Sequence, residues 1–291
     1  MYAIKTEKLT KSYGDSRGIS EVDLVVEKGD FYGFIGPNGA GKSTTIRTLL
    51  GLINKNSGEA YIFGKDITQN RNEILADVGY MPSDSEFYSG MKVKEMLSLS
   101  AKLRGKDCSE EAKRLAERLE LDLERKIDEL SFGNRKKVAI VLALQHKPSL
   151  YILDEPTSGL DPLMQREFYT ILKERNEEGA TILLSSHVLS EIGKYCKKAA
   201  VIREGRILVA DSVEKLAHTG IKKVLLRGAS IPLGIDGAVD IKNENDAVEF
   251  LYDRSPEELI KALGKISFSD VNISDPDLEE IFMHYYARED K

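Results

Sequence analysis

The sequence predicts an α/β architecture followed by a smaller α+β domain, and three observations predict it. A glycine-rich loop stands between an apolar run and a helix-forming run. Farther along, buried-type strands alternate with helices. After about residue 218 the pattern shortens to brief alternating segments.

The loop comes first. Gly36-Pro37-Asn38-Gly39-Ala40-Gly41-Lys42-Ser43 matches the phosphate-binding pattern Gly-x-x-x-x-Gly-Lys-Ser/Thr. Its glycines let the backbone turn tightly and bring N–H groups close to an anion. Lys42 reaches phosphates as a point charge, and the Ser43 hydroxyl suits the Mg²⁺ that accompanies a nucleotide. Phe31 to Ile35, just before, reads as a buried strand. Thr44 to Leu50, just after, reads as a helix ending near Gly51. Strand, loop and helix are the setting the motif requires, with the helix N-terminus facing the phosphates. Around the loop, Ile4 to Leu9, Val22 to Val26 and Ala60 to Phe63 read as further strands.

From about Lys92 the texture becomes helical, with Met96, Leu97, Leu99 and Leu103, then Leu115 and Leu119, at helical spacing. A helical insert is expected over about 85–147. Its last helix, Val138 to Leu144, is apolar on every side and should be buried, ending before Pro148. Leu150 to Leu153 then reads as a fully buried parallel strand. Asp161-Pro162 marks a helix start, Gly179 a stop, and Thr181 to Leu184 the next strand. Beyond residue 218, strands are expected at Lys223 to Leu226, Ala238 to Ile241 and Ile266 to Ile273. One helix is expected from the capping box at Ser255-Pro256-Glu257-Glu258 and another from Asp275-Pro276 through Ile281-Phe282-Met283.

Composition narrows the function classes. The 291 residues are 41% hydrophobic and 31% charged, an ordinary globular balance, and the formal charge of −6 gives no global basic field for nucleic acid or an anionic membrane. The runs Arg135-Lys136-Lys137 and Lys197-Lys198 read as solvated helix faces. Cys108 and Cys196 are isolated and His146, His187, His218 and His284 are scattered, so neither a disulfide framework nor a zinc site is expected. No apolar stretch reaches membrane-spanning length, and the start lacks the apolar core of a signal peptide. Any membrane process it serves is expected to take its membrane part from other chains.

The chemistry continues at Leu150-Tyr151-Ile152-Leu153-Asp154-Glu155. A buried strand ending in an acid delivers that acid to the carboxyl edge of the sheet, where ligands bind. Asp154 is placed to hold Mg²⁺, and Glu155 to polarise an attacking water.

Gly36 to Ser43, Leu130-Ser131-Phe132-Gly133, Leu153-Asp154-Glu155-Pro156-Thr157-Ser158-Gly159-Leu160-Asp161 and His187 occur in that order. Over about residues 1–218 the chain resembles the nucleotide-binding subunit of an ATP-binding cassette (ABC) transporter. The resemblance implies a P-loop cassette with a mixed sheet core, an antiparallel β subdomain and the helical insert, with 219–291 as a small accessory α+β domain. It implies ATP and Mg²⁺ as ligands, with Gly36, Pro37, Asn38, Gly39, Ala40, Gly41, Lys42, Ser43 and Thr44 around the nucleotide and Tyr13 stacked on adenine. Ser43 and Asp154 would serve the metal. Glu155, His187 and Lys42 would form the catalytic set. Ser131 and Gly133 would grip the nucleotide of an opposing subunit, and Asp161 would communicate across that dimer. The family usually has Gln where this chain has Ser83, whose shorter hydroxyl leaves a metal role there open.

The resemblance further implies permease subunits as partners, homodimeric or heterodimeric cassettes, a peripheral place on the cytoplasmic face of the membrane, and export of drug- or peptide-like cargo. The loop Ser83 to Met91, with Phe87 and Tyr88, and the helical insert would receive a permease helix. Two other readings remain: a soluble ABC ATPase acting on a nucleoprotein or assembly complex, and a regulatory ATP-binding module. Translation-type members carry paired cassettes with a basic linker and repair-type members long coiled coils, and neither feature is present.

Overall fold

The structure, a computed structural model, describes residues 1–14, 16–217, 221–229, 234–244, 247–276 and 280. It begins with β1 (Tyr2–Tyr13), β2 (Ser16–Val22) and β3 (Val25–Glu27). β4 (Phe31–Ile35) follows, buried at all five positions, and then α1 (Lys42–Leu49). Next come β5 (Ser57–Ile62), β6 (Lys65–Asp66), the short α2 (Arg71–Ala76) and β7 (Val78–Met81). β1 pairs antiparallel with β2, β3 and β5, and β5 with β6, giving an antiparallel sheet beside the phosphate loop.

The insert holds α3 (Val93–Leu103), α4 (Ser109–Arg118) and α5 (Phe132–Leu144). The helical periodicity read from Lys92 onward is broken in two at Gly105, whose φ is +63°. α3 buries Val93, Met96, Leu97 and Ala101, and α4 buries Ala112, Leu115 and Ala116. α5 is buried nearly all round from Lys136 onward, as its all-apolar second half demands.

β8 (Leu150–Asp154), α6 (Pro162–Glu177), β9 (Thr181–Ser186), α7 (Leu189–Tyr195), β10 (Lys198–Arg203) and β11 (Arg206–Ser212) complete the central sheet. Its strand order is β11-β10-β4-β9-β8-β7. β10, β4, β9, β8 and β7 run parallel to their neighbours, with Ile35 opposite Ser186, Asp154 opposite Ser185 and Met81 opposite Leu153. Helices cover such a sheet, so β4, β8 and β9 are continuous apolar runs. A core of Tyr32, Phe34, Ile46, Leu49, Ile152, Leu183 and Ile202 joins the parallel sheet, α1 and the antiparallel sheet.

The last elements are α8 (Val213–Ala217), β12 (Lys222–Arg227), β13 (Ala238–Glu244), β14 (Ala247–Tyr252), α9 (Pro256–Leu263) and β15 (Asp270–Ser274). The four strands form a sheet in the order β13-β14-β12-β15, with a core of Val224, Leu226, Val248, Phe250, Tyr252, Leu259 and Leu263. Ser255 caps α9 by accepting from the Glu258 amide at 3.2 Å. The helix expected through Ile281-Phe282-Met283, like His218 and His284, lies outside the described residues. Two compact units result, Met1–Asp211 and Ser212–Lys291.

Two sequence expectations change. Lys136 and Lys137 are buried rather than solvated, because α5 threads under the loops leaving β7 and β8. Lys197-Lys198 leads into a strand, not a helix, and Lys198 pairs with Glu27 and Asp30.

Candidate active site

Four parallel strands, β4, β9, β8 and β7, are neighbours, so their carboxyl ends open onto one edge of the sheet. The residues just past those ends are Gly36 to Ser43, His187, Glu155 and Ser83. Chain-distant segments thereby meet, as expected for ligand sites in parallel sheets.

The phosphate loop wraps a cavity of about 220 Å³ lined by Gly18, Pro37, Asn38, Gly39, Gly41, Lys42, Ser43, Thr44, Ser83 and Glu155. Gly41, the residue before α1, has φ +108°, and a Cβ there would meet Ile19 Cγ2 at 2.9 Å. Only glycine suits that left-handed turn. At Gly36 a Cβ would meet the Ile202 carbonyl oxygen at 2.4 Å, so β10 leaves no room for a side chain. Ala40 is buried behind the loop, while Pro37, Asn38 and Gly39 are exposed at its rim. Thr45 Oγ1 donates to the Gly41 carbonyl at 2.9 Å, fastening the first turn of α1.

Lys42 is 6% exposed, and its ammonium donates to the carbonyls of Gly36 at 2.5 Å and Pro37 at 3.2 Å. It also lies 3.3 Å from Glu155 Oε1, an ion pair without hydrogen-bond geometry. The other carboxylate oxygen, Oε2, is 2.7 Å from His187 Nδ1. Glu155 thus bridges the phosphate-loop lysine and the histidine. Its φ is +50°, a left-handed conformation that costs a non-glycine residue energy. The turn is held by Glu155 N donating to Ser185 O at 3.0 Å, and by Ser158 Oγ and Lys136 Nζ donating to Glu155 O at 3.2 and 3.3 Å.

Asp154 is fully buried at the end of β8. Its Oδ1 accepts from Ser185 Oγ at 2.8 Å, while Oδ2 has no hydrogen-bond partner among the described residues. An unpartnered buried carboxylate oxygen is costly unless something else satisfies it. With the Ser43 and Ser83 hydroxyls on the cavity wall, the donors are all oxygen, the set a hard divalent cation prefers. The residues present therefore fit Mg²⁺.

The remaining expected residues lie elsewhere. Tyr13, at the end of β1, is half exposed, with Lys11 Nζ 5.2 Å from its ring centroid; it does not line the phosphate cavity. Ser131 is exposed and caps α5, accepting from the Asn134 amide at 3.4 Å. Neither it nor Gly133 lines the cavity of its own chain. A Cβ on Gly133 would meet the Gly159 carbonyl oxygen at 2.7 Å, and Phe132 lies over Gly159, so the first turn of α5 rests on the segment between β8 and α6. Asp161 caps α6, accepting from the amides of Leu163 and Met164 at 3.0 Å each.

Sequence reasoning missed Lys136. It is 3% exposed, and its ammonium donates to the Ser83 carbonyl at 2.6 Å as well as to Glu155 O. Burial pushes its pKa down, against the pull of the Asp84, Asp154 and Glu155 carboxylates. Inside a run of three basic residues, no periodicity shows which of them reaches the carbonyls past β7 and β8.

A glycine loop at a helix N-terminus, a buried lysine inside it and two acids at the same sheet edge define a phosphate-binding nucleotide site. Comparison with known proteins then gives the family. Residues 19–158 match the family described as ABC transporter. The chain is 41% identical over 212 residues to the bacitracin transport ATP-binding protein BcrA of Bacillus licheniformis, covering 70% of this chain and 68% of that protein. It is 30% identical over 289 residues to the uncharacterized ABC transporter ATP-binding protein YhaQ of Bacillus subtilis, covering 95% and 96%. A solved ATP-binding subunit of an ABC transporter superposes with a TM-score of 0.69 at 30% identity, covering 74% of this chain and 91% of that one. The chain belongs to the ABC transporter family, as an ATP-binding ATPase cassette.

Proposed function

We propose that this cassette, over residues 1–218, powers export through separate permease subunits by ATP-dependent pairing of two cassettes, with 219–291 as an accessory domain. The observation that carries the reading is the Lys42–Glu155–His187 cluster, of which Lys42 and Glu155 line the phosphate cavity. Among the described residues no helix is long and apolar enough to cross a membrane, so the membrane path would belong to other chains.

In this reading the loop amides and Lys42 hold the phosphates of ATP, and Tyr13 stacks on the adenine. Glu155 orients the attacking water and accepts its proton. His187 steadies that carboxylate through Nδ1 and contacts the terminal phosphate. Ser43 and Asp154 would hold Mg²⁺, with Ser83 as a further candidate; the ion, when bound, offsets charge on the transferring phosphoryl group. Ser131 and Gly133 grip the nucleotide held by the opposing cassette, and Asp161 lies along the same contact. ATP then stabilises the closed pair because it touches both surfaces, and hydrolysis removes that bridge.

A transport role is supported by the bacitracin transport relative. A cavity of about 510 Å³ lined by Tyr80, Pro82, Phe87, Tyr88 and Met96, among others, would receive a permease helix. Extraction of cells in detergent, with the chain tagged, tests this. A hydrophobic multi-span partner should co-purify at the membrane; a nucleoprotein or assembly complex in its place would contradict the reading.

A further inference from the structure

We propose that Lys136 is a positioning residue for ATP hydrolysis: from α5 it pins the backbone of Ser83 and of Glu155, and so fixes where the Glu155 carboxylate stands. The proposal rests on Glu155 being the catalytic carboxylate. Ser83 lies just past β7 and Glu155 just past β8, where the chain leaves the sheet and its carbonyls lose their strand partners. A single ammonium serves both, at 2.6 Å to Ser83 O and 3.3 Å to Glu155 O. Glu155 needs such a clamp because its backbone sits at φ +50°. A small relaxation of that turn would swing the carboxylate away from Lys42 and His187.

Folding alone does not call for a charge here. Lys136 is 3% exposed, and burying an ammonium costs free energy that a methionine of similar length would avoid. Its neighbour Lys137 is also buried on α5 but makes neither hydrogen bond, which supplies an internal control. α5 is the helix that Ser131 caps. Lys136 therefore ties the helix behind the loop expected to act in trans to the carboxylate expected to act in cis.

The test compares the full chain with Lys136→Met, Lys136→Gln, Lys137→Met and Glu155→Gln, reading phosphate release, ATP binding and thermal melting. Displacing a catalytic group by about an ångström costs up to roughly a hundredfold, so Lys136→Met should lower kcat about ten- to a hundredfold. Its Kd for ATP should stay within about twofold, because the phosphate loop is untouched. Lys136→Gln keeps amide donors but lacks the reach, so the same loss is expected; it also serves as the reading if Lys136→Met does not fold. Lys137→Met should turn over ATP normally. Wild-type turnover in the folded Lys136 variants would overturn the proposal, as would a loss of ATP affinity that matches the loss of kcat. If Glu155→Gln itself kept full turnover, the assignment of the catalytic carboxylate would fail instead, and the two failures are thereby distinct.

Discussion

Glu155 concentrates the account at the scale of single residues. Its two carboxylate oxygens face Lys42 and His187, and its carbonyl is held by Ser158 and Lys136. Replacing it by Gln keeps the shape and removes the proposed base. Phosphate release should fall by roughly 10²- to 10⁴-fold while ATP still binds, which single-turnover kinetics and equilibrium binding would check. Gly36 makes a different demand. A methyl group there would lie 2.4 Å from the Ile202 carbonyl oxygen, which β10 cannot readily move. Gly36→Ala should cost roughly 1–3 kcal/mol of stability by overpacking, read as a lower melting temperature. The phosphate loop was legible in the sequence because its chemistry depends on spacing within eight contiguous residues. Lys136 was not, because its importance lies in two carbonyls that are 53 and 19 residues away along the chain.

Among elements, what matters is the adjacency of parallel strands. β4, β8 and β9 were legible as continuous apolar runs because both faces of each are covered. β10 was hidden by the two lysines at its start, and β14 was not singled out although four of its six residues are buried. The site depends on which strands lie side by side, and that order is a tertiary fact that no local pattern carries. The Asp161 cap was legible, since Asp followed by Pro is a local signal; Asp161→Ala should cost about 1 kcal/mol of stability, measurable by denaturant unfolding. His146, just after α5, gives a pH dependence. Burial, aided by the Arg104 charge, pushes its pKa down from 6.5 to about 4. The folded state keeps the ring neutral, whereas the unfolded chain takes up a proton below 6.5. This contribution is therefore complete above that pH and is lost as pH falls toward about 4. Melting temperatures at about pH 7.5 and about pH 5 should show the decline, and His146→Gln should flatten that part of it.

For the whole molecule, the decisive feature is the proposed pairing of two cassettes. Ser131 is exposed and stands outside its own phosphate cavity, and Phe132 and Leu163 expose apolar surface nearby in the fold. A second cassette bringing its Ser131 to this nucleotide would complete the site. Ser131→Arg should leave ATP binding within about threefold and reduce turnover at least tenfold, because a bulky cation would block closure but not the phosphate loop. The cleanest measurement is the mass in solution of Glu155→Gln, with the proposed permease subunits present, as Mg²⁺ and ATP are added. The account predicts paired cassettes that form with ATP, come apart without it, and fail to form when Ser131→Arg is added. Cassettes that saturate with ATP yet never pair would contradict it.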